Sequence, residues 1–112
     1  MSTRAQVRFA TREKGVSFSE HPKVIHAQFY VHYDGYPSGL GLEIAESLTN
    51  YQKINNWELE SLNTRHGDYI YYIWQHPMKD TWISIFAVGW QDEDECIFVG
   101  RPSNLINKYK ND

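Results

Sequence analysis

A chain of 112 residues is the length of one ordinary domain, read here as 1–112, and can bury a hydrophobic core without staples. Its formal charge of −3 lacks the basic surplus that phosphate contacts demand, which argues against nucleic acid as the main partner without reaching the acidity of a DNA mimic. A single cysteine, Cys96, excludes an intrachain disulfide; no stretch approaches the ~20 apolar residues of a membrane helix, and no secretory signal is read at the N-terminus, so the expected compartment is a reducing cytoplasm.

Residues 4–11 alternate, with Ala5, Val7 and Phe9 on one side and Arg4, Gln6 and Arg8 on the other, the period of a half-buried strand. Residues 12–23 are polar and contain Gly15 and Pro22, a loop or wide hairpin connection. A second strand over 24–33 sets Ala27, Phe29, Val31 and Tyr33 against His26, Gln28, Tyr30 and His32. Asp34-Gly35-Tyr36-Pro37 ends it in a turn that favours positive φ, and an aromatic residue before proline raises the chance of a cis bond. Ser38 is placed to cap a helix to about residue 53, with Leu40, Ile44 and Leu48 on one stripe widened by Ala45 and Tyr51.

Asn56 is read as the cap of a shorter helix through Trp57, Leu59 and Leu62 that stops before Gly67. Residues 68–75 are a strand with Ile70, Tyr72 and Trp74 opposite Tyr69, Tyr71 and Ile73, and residues 81–90 return after a turn at 76–80. Both faces of that returning strand are apolar, Ile83, Ile85 and Ala87 against Trp82, Phe86, Val88 and Trp90, which suits the middle of a sheet or an interface. A short strand at 96–99 and a closing helix capped by Ser103, carrying Leu105, Ile106 and Tyr109, complete the order β-β-α-α-β-β-β-α. The expected fold is therefore α+β: a mostly antiparallel five-stranded sheet with helices packed on one face.

The aromatic share of 15% is the chain's main departure from ordinary composition. An aliphatic core of Ile83, Ile85, Ala87, Leu40, Ile44, Leu48, Leu105 and Ile106 would serve the helices, leaving Trp82, Phe86, Trp90 and several tyrosines for the second sheet face. Two outcomes stay open: residues 12–23 cover that face, or it stands exposed as a partner surface. Base stacking is a further use of such a face, but residues 81–90 carry no Lys or Arg.

Chemistry-bearing sets are incomplete. His26, His32 and Asp34 share a strand face, but His26 and His32 are ~20 Å apart at ~3.3 Å per residue, too far for one metal ion. His32 with Asp34 could form a base oriented by a carboxylate, yet nothing places a nucleophile beside them. Residues 38–41 lack the lysine and spacing of a P-loop, and the acidic run 92–95 lacks the glycine and final glutamate of an EF-hand. No catalytic residue, metal site or cofactor is assigned.

The segment Tyr30-Val31-His32-Tyr33-Asp34-Gly35-Tyr36-Pro37 resembles a Y-x-H-x-D-G-Y-P stretch of small uncharacterised phage and mobile-element proteins, and Phe98-Val99-Gly100-Arg101-Pro102-Ser103 is similar to the same group. The resemblance carries no activity. It implies a mobile-element origin and, by analogy of size, a protein that binds a host protein complex as an anti-defence factor of the anti-CRISPR type. The expected function is thus non-enzymatic binding to a protein partner, a second copy or a host macromolecule, through Tyr30, His32, Tyr33, Asp34, Tyr36, Trp82, Phe86 and Trp90. A small enzyme centred on His32 and Asp34, or a single-stranded nucleic-acid binder using the aromatic face, are the alternatives.

Overall fold

The computed structural model describes residues 3–13, 15, 17–50, 57–60, 62, 67–78, 80–90 and 93–111. Strands β1 (Ala5–Thr11) and β2 (Val24–Val31) form a hairpin, followed by a π-helical turn (Pro37–Gly41) that runs into α1 (Leu42–Asn50). Then come β3 (Trp57–Leu59), β4 (Tyr69–Gln75), β5 (Thr81–Ala87), β6 (Glu95–Gly100) and α2 (Pro102–Tyr109). The strands form one six-stranded sheet in the order β3-β2-β1-β4-β5-β6.

The α+β class holds, but the sheet is mixed and has six strands rather than five. β1 and β4 pair in parallel, Ala5 opposite Tyr69 and Phe9 opposite Ile73, while every other neighbouring pair is antiparallel. The sixth strand lies inside the segment expected to be a second helix. Trp57, Glu58 and Leu59 instead extend the sheet edge opposite Val31, Tyr30 and Phe29. Trp57 and Leu59 alternate as well as they repeat helically, so edge pairing with β2 decides the outcome. Glu60 follows the strand, Leu62 is exposed, and residues 56, 61 and 63–66 of that expected helix, like Tyr51, lie outside the described residues.

The first helix starts differently from the expectation too. Pro37, rather than a residue capped by Ser38, opens it; Tyr36 precedes it in an extended conformation and gives no side-chain cap. Proline lacks an N–H and its fixed φ suits a first helical position. The Leu42 N–H reaches back to the Pro37 carbonyl, which widens the first turn. The Tyr36–Pro37 bond is trans, and the positive φ of the turn falls on Asp34, at 56°. Likewise α2 opens at Pro102, with Arg101 before it, and the Asn104 side chain accepts from the Arg101 N–H at 3.2 Å.

Alternation sends one set of side chains to the helices. Ala5, Val7, Val31, Tyr71, Ile73, Ile83, Ile85 and Phe98 pack with Leu40, Ile44, Ala45, Leu105 and Tyr109 in one buried cluster, flanked by the partly buried Phe9, Phe29, Leu48 and Ile106. The aliphatic core expected from the sequence is largely this cluster.

The second face carries Ala10, Ile70, Tyr72, Trp74 and Phe86, and the chain covers it with its own β1–β2 connection. Arg12 fastens that connection: its Nη1 donates to the carbonyls of Ser17 (2.7 Å) and Glu20 (2.9 Å), while the guanidinium lies 4.7 Å from the Trp74 ring centroid. Phe18 then packs on Trp74 and Trp82, at 5.4 and 5.8 Å between ring centroids, and His21 stacks on Phe86 at 3.9 Å. His76 stacks on Trp82 at 4.3 Å. Of the two outcomes left open by the sequence, coverage by the loop is the one observed. Phe86 is 1% exposed and Trp82 is half-buried, so neither ring forms an open aromatic platform.

Candidate functional site: an aromatic and acidic rim

Strand directions bring several loops to one end of the sheet. The start of β1, the end of β2, the start of β3, the start of β4, the end of β5 and the start of β6 are neighbours in register: Ala5 opposite Val31 and Tyr69, Val31 opposite Trp57, Tyr69 opposite Ala87, and Ala87 opposite Glu95. Three large rings stand out from this end: Tyr33 is 66% exposed, Tyr36 39% and Trp90 83%. Trp90 was expected within a strand. β5 ends at Ala87, and Trp90 sits in the turn beyond it.

The turn that carries Tyr33 and Tyr36 is fixed from three sides. The Gly35 N–H donates to the Thr3 carbonyl at 2.9 Å, the Leu40 N–H to the Asp34 carbonyl at 2.9 Å, and the buried Tyr71 hydroxyl to the Gly35 carbonyl at 2.5 Å. Gly35 also runs against β1: a Cβ there would lie 2.8 Å from the Ala5 Cβ and 3.0 Å from the Arg4 carbonyl carbon. Asp34 takes the left-handed conformation that aspartate tolerates better than most residues. The Tyr36 hydroxyl lies 3.4 Å from its Oδ1.

His32 is paired with Glu58 rather than with the Asp34 expected from the sequence. Its Nε2 lies 3.1 Å from the Glu58 Oε2 on β3, and both side chains are largely solvent-exposed. Its ring meets Tyr30 edge to face at 4.4 Å. Among the described residues, an open cleft of ≈ 410 Å³ by Arg12, Phe18 and Trp74 and another of ≈ 450 Å³ by His26, Leu48 and Trp74 are lined by neither His32 nor Asp34. Among the described residues no three His, Cys, Asp or Glu side chains are grouped to hold a metal ion. The Cys96 thiol is half-buried, and burial pushes its pKa up, opposite to the activation a nucleophile needs.

A polar network on the covered face went unseen in the sequence. The Glu60 Oε1 accepts from Gln6 Nε2 (2.6 Å) and Gln28 Nε2 (2.8 Å), and the Gln28 Oε1 accepts from Arg8 Nε at 2.6 Å. Arg8 Nη1 donates to the Tyr72 hydroxyl (2.8 Å), which meets His21 Nδ1 (2.7 Å), and His21 Nε2 lies 2.9 Å from the Asp94 Oδ2. With Nδ1 unprotonated, the imidazole accepts from the tyrosine hydroxyl, and its Nε2 side faces the Asp94 carboxylate. The network ties the covering loop to β1, β4 and the β5–β6 turn. Gln6 and Gln28, polar members of alternating strands, read as solvent-facing; the signal available was that Glu60 follows an edge strand and can turn back over them.

No helix among the described residues is long and apolar enough to cross a membrane. Fold and rim together define a small α+β protein with a mixed sheet, one face under helices and the other under its own loop. No family model, no curated protein and no solved structure matches the chain.

Proposed function

We propose that the protein is a non-enzymatic binding protein that docks a protein partner on the sheet end formed by Tyr33, Asp34, Tyr36 and Trp90. The observation that carries this reading is the pairing of exposed rings with a fastened backbone: Tyr33, Tyr36 and Trp90 are 66, 39 and 83% exposed, and the turn of the first two is held by three hydrogen bonds. Rings left in water add little to the fold, while holding them still removes part of the ordering cost of association. An aromatic side chain carries ~150–250 Å², of which Trp90 and Tyr33 still have the greater part to bury against a partner, and such rings dominate interface energetics. Tyr30 and His32 flank the same end, while Phe86 and Trp82 support the sheet beneath. The resemblance of residues 30–37 to phage and mobile-element proteins is in keeping with a host protein as the partner.

A photo-crosslinking residue at Tyr33 tests this, with the same residue at Met78 as control. Met78 is 72% exposed in the β4–β5 turn at the opposite end of the sheet. In cells of the natural source the Tyr33 derivative is expected to give a discrete adduct of higher mass that the Met78 derivative does not. Identical products at both positions, or none at Tyr33, would overturn the reading.

A further inference from the structure

Resting on that reading, we infer that the rim takes a cationic protein segment, one rich in Arg or Lys and extended across the strand ends. Among the described residues, acidic side chains predominate at this end of the sheet. Asp34, at the end of β2, Glu58 on β3, Asp68 before β4, and Glu93 and Glu95 at the β5–β6 turn are all exposed carboxylates. Against them the described residues offer the exposed Arg4 at the start of β1 and the exposed Lys110 at the end of α2, while Lys108 is already held by the Ile97 carbonyl at 3.0 Å. His32 faces Glu58.

Five exposed carboxylates among the described residues therefore lie at the end of the sheet that carries the exposed rings. Aromatic faces bordered by carboxylates suit guanidinium and ammonium groups, which stack on the ring while pairing with the acid. The same carboxylates repel nucleic acid and anionic lipid headgroups.

Geometry sets the length of the segment. From β3 to β6 there are five strand spacings, about 24 Å at ~4.8 Å each, which an extended chain covers in about seven residues. Alternate residues of such a segment lie ~6.6 Å apart on one side. Carboxylates on β3, after β2, before β4 and at β6 fall along this line at one or two strand spacings from one to the next.

The probe is an Arg-Gly repeat peptide of about eight residues, titrated into isotope-labelled protein and followed by amide chemical shifts, with a Glu-Gly repeat and a single-stranded oligodeoxynucleotide as controls. Shifts are expected at residues 33–36, 58, 68, 90 and 93–95, from the Arg-Gly peptide alone, weakening with added salt. The double variant Glu93→Lys with Glu95→Lys should weaken binding about tenfold or more, and Trp90→Ala several-fold. All three positions are exposed, so the fold is retained. No shifts at millimolar peptide, equal shifts from the Glu-Gly peptide, binding of the oligonucleotide in its place, or shifts indifferent to both variants would each overturn the inference. If the Tyr33 crosslinker still captures a discrete partner in that event, the binding reading survives and only the partner's chemistry is wrong.

Discussion

The phenolic hydroxyl of Tyr71 donates to the main-chain carbonyl of Gly35 at 2.5 Å, joining the middle of the sheet to the turn that presents Tyr33 and Tyr36. Tyr71 is fully buried, and this bond satisfies an otherwise isolated hydroxyl inside the apolar cluster. Tyr71→Phe keeps the ring and strands the Gly35 carbonyl. The expected loss is about 1–3 kcal/mol in urea unfolding, with faster amide exchange at residues 34–36. Unchanged exchange there would show that Thr3 and Ala5 fix the turn unaided.

The same residue gives a pH dependence. Burial, with smaller contributions from Tyr69 and Tyr109, pushes the Tyr71 pKa far above its ordinary value near 10. The folded state therefore holds the proton more tightly than the unfolded chain. That stabilisation is complete below about pH 10 and falls as pH rises beyond it, because only the unfolded chain then ionises. Chemical denaturation between about pH 9 and 11 should show wild-type stability declining, with a shallower decline in Tyr71→Phe. Parallel slopes would mean that other tyrosines govern the alkaline limb.

Phe86 and Trp90 are both large aromatics of one sequence segment, and they separate cleanly by exposure, at 1% and 83%. Phe86→Ala removes a ring packed edge to face on Tyr72 and stacked under His21, and should cost about 3–5 kcal/mol. Trp90→Ala should fall within about 0.5 kcal/mol of wild type. Thermal and urea unfolding of the two variants check this directly; a large loss at Trp90 would place it in the fold rather than on a docking surface.

That contrast also marks how far the residues speak for themselves. Strand alternation was legible wherever one face met the helices, so Val7, Ile83, Ile85, Ile44 and Leu105 could be assigned to the core. Patterning shows that Phe86 and Trp82 face away from the helices, but not that Phe18 and His21, in a polar connection, fold back to meet them. β3 escaped because three residues cannot express a period, and the β1–β4 pairing because parallel neighbours depend on where a distant strand inserts. The turn at 34–37 was visible in its residue types; its exposure, and the convergence of Trp90 and five carboxylates at the same end, follow from strand order alone.

His21 is the keystone of the covering loop. The Asp94 side chain beneath it is 1% exposed, while His21 itself is 34% exposed. His21→Ala would leave that carboxylate without the imidazole and uncover Phe86. The expected loss is about 2–4 kcal/mol, below the ~3–5 of a fully buried pair because His21 is partly solvated. Combining it with Asp94→Asn should recover part of the loss, since a neutral amide is cheaper to leave there. Additive losses in the double variant, measured by urea unfolding, would show that the two side chains act independently.

Lys108 guards the outer edge of the sheet. β6 has a free side, and the pairing of Ile85 with Phe98 and of Phe86 with Cys96 leaves Ile97 as an extra residue in the strand. The Lys108 ammonium donates to the Ile97 carbonyl at 3.0 Å. A bulge and a lysine are two of the devices by which proteins keep an edge from pairing with another sheet. Lys108→Met keeps the helical stem and removes the donor. Its cost to stability should be no more than about 1 kcal/mol, since the bond is exposed. The variant should show a larger weight-average mass than wild type in sedimentation velocity as concentration rises. Equal masses at every concentration would mean that the bulge suffices, with Lys108 dispensable for edge protection.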